Sequence, residues 1–164
     1  MKMEMQRFKK AKHIKIDWHD WIGFGLGAGF LQAPGTMGSL LGLPCGVLGS
    51  LLGWYEPIIF MIVSSYLWYC GVKVYNLVGC RDHKSIVCDE VIGMWVALLG
   101  IPLGLWQYGL AFLLFRVFDI SKWVGVGLSE RLPIGAHAVM LDDVVAGLWA
   151  NIGVRSVIYL TGHY

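Results

Sequence analysis

Five acidic residues stand inside or at the edges of otherwise apolar sequence: Asp89 and Glu90 side by side, Asp119 within Phe115-Arg116-Val117-Phe118-Asp119-Ile120-Ser121-Lys122, and the pair Asp142-Asp143. An ionised carboxylate at a bilayer centre costs roughly 2.5–3.5 kcal/mol, so five facing lipid would cost on the order of 12–17 kcal/mol if the terms add. They must instead face one another, a cation, basic partners or water. Oxygen donors unaccompanied by paired Cys or His favour hard cations, Mg2+ or Mn2+, over zinc. Such acids point to a metal-assisted site at a membrane surface.

The neighbouring residues suit phosphate. Arg116, Asp119 and Lys122 are spaced three apart and share one helix face. A carboxylate between two cations fits a site that takes both a metal and a phosphate, whereas a soluble protein would use the same row as a salt-bridge ladder. In Pro34-Gly35-Thr36-Met37-Gly38-Ser39 the glycines permit close backbone approach. Thr36 or Ser39 can cap the helix that follows, whose free amides form a ready anion site; a plain turn between helices is the bland alternative. The Gly-Lys-Ser/Thr ending of a P-loop is absent. His83, in the polar loop before Asp89-Glu90, is open as an acid, a ligand or a surface residue. Asp89 and Glu90 at a first helical turn can also merely complement the helix dipole. Asp142-Asp143 are read likewise at a helix start, with Ala146-Gly147 small enough for another helix to approach.

These groups need elements to hold them. The chain has 164 residues, 57% hydrophobic and 15% charged, against roughly 25% charged in soluble domains, so a single membrane-embedded domain is expected. Lys2, Arg7, Lys9, Lys10, Lys12 and Lys15 precede the first hydrophobic stretch. They make residues 1–20 a basic arm that stays cytoplasmic by the positive-inside rule, and the arm is expected to be retained rather than cleaved. Residues 21–164 form the helical domain. A short helix, a loop through residues 32–39 and a second helix are expected before Tyr55. The segment 57–79 exceeds the ~20 residues that cross a hydrocarbon core. The segment 91–115 is broken at Ile101-Pro102-Leu103-Gly104, giving a kinked helix or two shorter ones. The last segment is 144–160, with Arg155 placed to snorkel to headgroups. Trp18, Trp21, Trp54, Tyr55, Trp106, Tyr108, Trp123 and Tyr159 near segment ends suit an interface or ordinary packing. Cys45, Cys70, Cys80 and Cys88 show no C-x-x-C pairing and read as packing residues. The expected fold is all-α, a small multi-helix integral membrane protein with about four to six apolar helices, some short or kinked.

Taken together, several ordered motifs resemble the phosphatidylglycerophosphatase A family from about Gly23 to Gly147. They are Pro34-Gly35-Thr36-Met37-Gly38-Ser39, Asp82-His83 with Ser85-Ile86-Val87 and Asp89-Glu90, Gly93-Met94-Trp95, Phe115-Arg116 through Asp119 and Lys122, and Met140-Leu141-Asp142-Asp143 with Ala146-Gly147. The resemblance implies a multi-pass enzyme of the bacterial inner membrane, its site towards the cytoplasm. Such an enzyme uses Mg2+ to remove the terminal phosphate of phosphatidylglycerophosphate and yield phosphatidylglycerol. Its partners would be the phospholipid and the membrane, with no nucleic acid, and the oligomeric state stays open. On this resemblance Asp89, Glu90, Asp119, Asp142 and Asp143 are the catalytic and metal-binding acids, some acting through water. Arg116, Lys122, Thr36 and Ser39 hold the phosphate, and His83 protonates the leaving group. Direct attack by water and an aspartyl-phosphate intermediate both remain open.

The chain departs from the family at Trp123, where the family has proline, and at Gly135-Ala136-His137-Ala138, where the family has a glycine-rich approach. His137 is open as an added ligand or a structural histidine. From a different functional class, a cation or proton transporter would also use intramembrane carboxylates. Arg116 and Lys122 oppose a cation path, and no repeat in corresponding halves supports one. A non-catalytic membrane assembly protein would explain the small-residue helices but not the clustered acids.

Overall fold

Apolar runs too long for strands, punctuated by glycine and proline, become six α-helices in the computed structural model, which describes residues 16–78, 85–121 and 135–162. These are α1 (Trp18–Gly23), α2 (Pro34–Leu52), α3 (Glu56–Val78), α4 (Cys88–Leu98), α5 (Leu105–Ser121) and α6 (Ala136–Thr161), with short 3-10 turns at Gly25–Phe30 and Gly53–Tyr55. No strand occurs among the described residues. The expected residues His83, Lys122 and Trp123 lie outside them.

Two boundaries differ from expectation. α2 starts at Pro34, so Thr36 and Ser39 lie inside the helix rather than capping it; Ala33 is the N-cap, with no side-chain hydrogen bond. Proline has a preset φ and lacks the N–H that would be orphaned there anyway, so it favours the first helical position. Ser39 instead returns its hydroxyl to the Gly35 carbonyl one turn back, at 2.7 Å. At the other end of the chain, α6 begins at Ala136. Asp142 and Asp143 therefore fall in its second turn and not at its start, because Ala136, Ala138, Met140 and Leu141 propagate a helix well. The break at Ile101-Pro102 is complete, giving two helices: Gly100 takes the left-handed φ of +64° that closes α4.

Close glycine contacts fix the helix directions. A Cβ at Gly38 would meet Glu90 and Val87, one at Gly42 would meet Met94, and one at Gly46 would meet Leu98, so α2 and α4 run the same way. Gly71 of α3 lies against Cys88 while Phe60 packs edge-on to Trp95, so α3 runs oppositely, the reversal being made at Gly53. α6 runs with α4, since Gly93 meets the Asp143 backbone and Asn151 reaches the last carbonyls of α4. α5 runs against both, with Tyr108 bonded to the Gly46 carbonyl and Arg116 beside Gly35. The starts of α2, α4 and α6 and the ends of α3 and α5 thus share one end of the bundle.

Helix α4 is the hub, with ten of its eleven residues buried. Met94, Leu98, Ala111, Phe115, Ala146 and Ala150 form the main core between α4, α5 and α6. Where the competing medium is hydrocarbon, lipid is as apolar as leucine, so this close packing and interhelical hydrogen bonds must hold the helices together. Arg155, exposed near the end of α6, also has protein partners. With Asn151 it satisfies the end of α4: Asn151 Nδ2 donates to Val96, Ala97 and Leu99, and Arg155 Nη2 donates to Leu99 and Gly100. The last carbonyls of a helix have no intrahelical partner, which explains both residues. Lys73 is likewise paired, with Asp17 and Asp20 around α1.

Among the described residues two helical stretches are long and apolar enough to cross a membrane, 34–77, which takes in α2 and most of α3, and Ala136–Thr161. Trp18 and Trp21 are exposed at one end of the bundle, and Trp54, Tyr55, Trp106 and Tyr159 at the other. Amphipathic rings at both ends match two membrane–water interfaces.

Candidate functional site

The shared end of the bundle gathers chemistry from four helices. Asp89 and Glu90 come from the first turn of α4, Asp143 from the second turn of α6, and Arg116 and Asp119 from the end of α5. One carboxylate oxygen from each of Asp89, Glu90 and Asp143 lies within 4.8 Å of the other two, and Asp89 and Asp143 are buried. Glu90 Oε2 is buried with no hydrogen-bond partner. Burial pushes the Asp89 carboxyl up, and pushes that of Glu90 well up with the help of the neighbouring Asp89; both sit on a helix of eleven residues, too short to span. Three carboxylates held this closely repel one another unless protons or a cation intervene.

Arg116 is held at the edge of the acids. Its Nη1 donates to Asp119 Oδ2 at 2.5 Å and to Ser39 Oγ at 3.4 Å. The sequence spacing identified the Arg116–Asp119 pair, but not that Ser39, fully buried, would serve as a strut for the guanidinium.

Gly35 and Gly38 bring the start of α2 onto this group. A Cβ at Gly35 would lie 3.0 Å from Glu90 Oε1 and 3.1–3.2 Å from the two Arg116 terminal nitrogens; one at Gly38 would lie 3.2 Å from Glu90 Oε2. Pro34 has no N–H and the Met37 amide bonds back to Ala33. The amides of Gly35 and Thr36 are therefore the ones left for an anion at this end of α2. Thr36 is half-buried beside them. The glycine stripe Gly35, Gly38, Gly42, Gly46 and Gly49 was visible in the sequence at helical spacing, and was the available signal that α2 would pack flush against the acids.

Asp142 is buried one residue before Asp143, but about 100° around the helix, and its carboxylate is not in the three-acid group. Asp119 is also outside that group and is engaged with Arg116. His137 accepts a hydrogen bond from Trp68 Nε1 at 2.9 Å and stacks on that ring. It does not join the acids.

Oxygen ligands, an orphaned buried carboxylate oxygen, a guanidinium and two free amides make a place for a hard cation beside a phosphate. The comparisons with known proteins agree in kind. The family model for phosphatidylglycerophosphatase A matches residues 21–158. Phosphatidylglycerophosphatase A of Escherichia coli (strain K12) is 34% identical over 160 residues, covering 95% of this chain and 90% of its own. The protein of that name from Haemophilus influenzae is 39% identical over 142 residues, covering 84% and 87%. A Bacteroides thetaiotaomicron chain named provisionally as a phosphatidylinositol-3-phosphatase is 34% identical over 158 residues, covering 86% and 94%. No solved structure matches the chain.

Proposed function

The chain belongs to the phosphatidylglycerophosphatase A family, and from that premise we propose that it hydrolyses the terminal phosphate of phosphatidylglycerophosphate to give phosphatidylglycerol and inorganic phosphate. It does so as a multi-pass protein of a bacterial inner membrane, with the acidic end of the bundle at the cytoplasmic face. The observation that carries this reading is the meeting of Asp89, Glu90 and Asp143 with Arg116 at the start of α2.

The residues fit Mg2+. The donors are all oxygen, Glu90 Oε2 has no hydrogen-bond partner among the described residues, and the three carboxylates converge to within 4.8 Å. Asp89, Glu90 and Asp143 would hold the ion, with Asp119 and Asp142 in the surrounding layer. When bound, the ion supplies Lewis-acid charge to the phosphoryl oxygens and eases ionisation of water.

The chain's own groups do the rest. Arg116, aimed by Asp119 and Ser39, grips phosphate oxygens with its planar fork and offsets charge that grows in the transfer. The Gly35 and Thr36 amides and the Thr36 hydroxyl hold another face of the phosphate. Lys122 supplies a second cation for the phosphate oxygens. Water attacks phosphorus, the bond to the glycerol oxygen breaks, and His83 gives that oxygen its proton. Arg116 within the acidic group weighs against a cation pathway, because it would repel the transported ion.

The test is phosphate release from phosphatidylglycerophosphate by purified protein in detergent, with Mg2+ or EDTA, beside Asp143→Asn and Asp142→Asn. Release should require Mg2+. Asp142→Asn, in the surrounding layer, should cost about 10–100-fold, and Asp143→Asn about tenfold more. Absence of release under any divalent metal would overturn the activity, and equal losses in the two variants would overturn the ligand assignment.

A further inference from the structure

A half-open apolar cleft lies on the other side of the α2 start from the acids. It encloses about 410 Å3 between α2 and the loop 24–31, and apolar side chains and glycines line it, among them Trp21, Leu26, Phe30, Met37 and Leu41. That size falls within the ~300–1,000 Å3 of ligand sites. Its rim is built deliberately. Leu26 takes a left-handed φ of 55° between Gly25 and Gly27, both also at positive φ, and leaves its side chain 77% exposed. A non-glycine residue in that region is uncommon and uncomfortable, so the loop spends backbone strain to hold an isobutyl group outward.

The cavity and the acidic site share a wall. A Cβ at Gly25 would lie 2.2 Å from Val87 Cγ2 and 3.3 Å from Leu41 Cδ1, and a Cβ at Gly38 would lie 3.0 Å from Val87 Cβ and 2.9 Å from Glu90 Cβ. Val87 thus separates the cavity from Glu90 by one side chain. On α2, Gly35 and Ser39 face Arg116 while Met37 and Leu41 line the cavity. The stretch 34–77, apolar enough to cross a membrane, begins at this point, and Trp18 and Trp21 are exposed beside it. A phosphate held by the first turn of α2 therefore has an uncharged channel at the membrane boundary within one helix width.

We propose that this cavity is an acyl-chain subsite, in which the glycerol-proximal part of one fatty chain of the phospholipid substrate lies between Leu26, Met37 and Leu41 while its phosphate sits on the far side of Val87. The inference rests on the lipid-phosphatase reading above for the identity of the substrate. It adds that the enzyme reads the acyl chain as well as the headgroup.

Two measurements separate this proposal from the underlying activity. In the first, Leu41→Trp fills the cavity, and kcat/KM is compared for dioleoyl phosphatidylglycerophosphate and for its deacylated headgroup. The ratio of the two should fall roughly tenfold, as expected when one or two methylene contacts are lost from an apolar pocket. An unchanged ratio overturns the subsite. In the second, a photoreactive residue replaces Leu26, and in a control Ile62, which is exposed on α3, in nanodiscs holding a small mole fraction of phosphatidylglycerophosphate with EDTA present. Adducts at Leu26 enriched in that lipid over the Ile62 control support the subsite. Adducts to peptide from residues 1–15 or from a second copy, or lipid adducts in bulk proportion, overturn it. Because the second measurement needs no turnover, it decides the subsite even if the wild type releases no phosphate from either substrate, an outcome that would sink only the proposed activity.

Discussion

Gly38→Ala tests whether the spacing between α2 and α4 sets the site. The added Cβ would lie 2.9 Å from Glu90 Cβ and 3.0 Å from Val87 Cβ, both on or beside the rigid start of α4. Reaching the ~3.5 Å at which carbon atoms attract best requires the helices to part by about 0.6 Å there. Overpacking of this kind costs ~1–3 kcal/mol, offset by about 1 kcal/mol from replacing glycine with alanine in a helix. Folding stability should therefore fall by only about 0–2 kcal/mol. Activity should suffer more, because the same movement carries the Gly35 and Thr36 amides and the Ser39 strut of Arg116 away from Glu90 and Asp143. A 1 Å misplacement can cost about 100-fold, so 0.6 Å corresponds to about tenfold in kcat/KM. The control is Gly46→Ala, whose Cβ would meet Leu98 Cβ at 2.9 Å but lies eight residues, or about 12 Å, further along the helix. Phosphate release per folded molecule, with folding followed by thermal unfolding in the same detergent, gives both quantities. If Gly38→Ala keeps wild-type kcat/KM, or Gly46→Ala loses as much, local spacing at Glu90 is not what the glycine protects.

Two further outcomes follow from the same geometry. Asn151→Leu removes the donor shared by the Val96, Ala97 and Leu99 carbonyls and should cost about 1 kcal/mol, the net worth of a hydrogen bond, because the Val96 and Leu99 carbonyls keep bonds from the Leu99 N–H and from Arg155; an unchanged thermal midpoint would show that α4 does not depend on this cap. The raised carboxyls of Asp89 and Glu90 mean that the folded, metal-free protein binds protons more tightly than the unfolded chain. Stability in EDTA should therefore rise as pH is lowered from neutral towards the ordinary carboxylate range, and fall as pH rises through the raised values. Saturating Mg2+ should flatten or reverse that slope by stabilising the charged forms, and thermal unfolding across pH with and without the ion reads both. A metal-free slope of the opposite sign would refute the burial of these acids.

What the sequence determined by itself is the class of the fold and the kind of chemistry. Apolar runs of more than about 20 residues admit only helices in lipid, Gly100 and Pro102 mark a kink or a break, and acids set in such runs must find partners because lipid offers none. The spacing of Arg116 and Asp119 placed them on one face, since three residues is nearly one helical turn, and they do pair. The boundaries at Ala33–Pro34 and Gly135–Ala136 were misread because a turn-forming string and an acidic pair look like helix starts from local propensity alone. Only tertiary structure decided that Asp143 and not Asp142 joins the cluster with Asp89 and Glu90. Two adjacent residues differ by about 100° on a helix, and it is the closeness of Gly93 to the Asp143 backbone that turns Asp143 towards Glu90 and leaves Asp142 on another face. The same holds for Ser39, Asn151 and Arg155, whose partners lie more than fifty residues away in the chain. Their roles arise where helices cross, and crossing is set by the summed packing of all the helices, which no local pattern encodes.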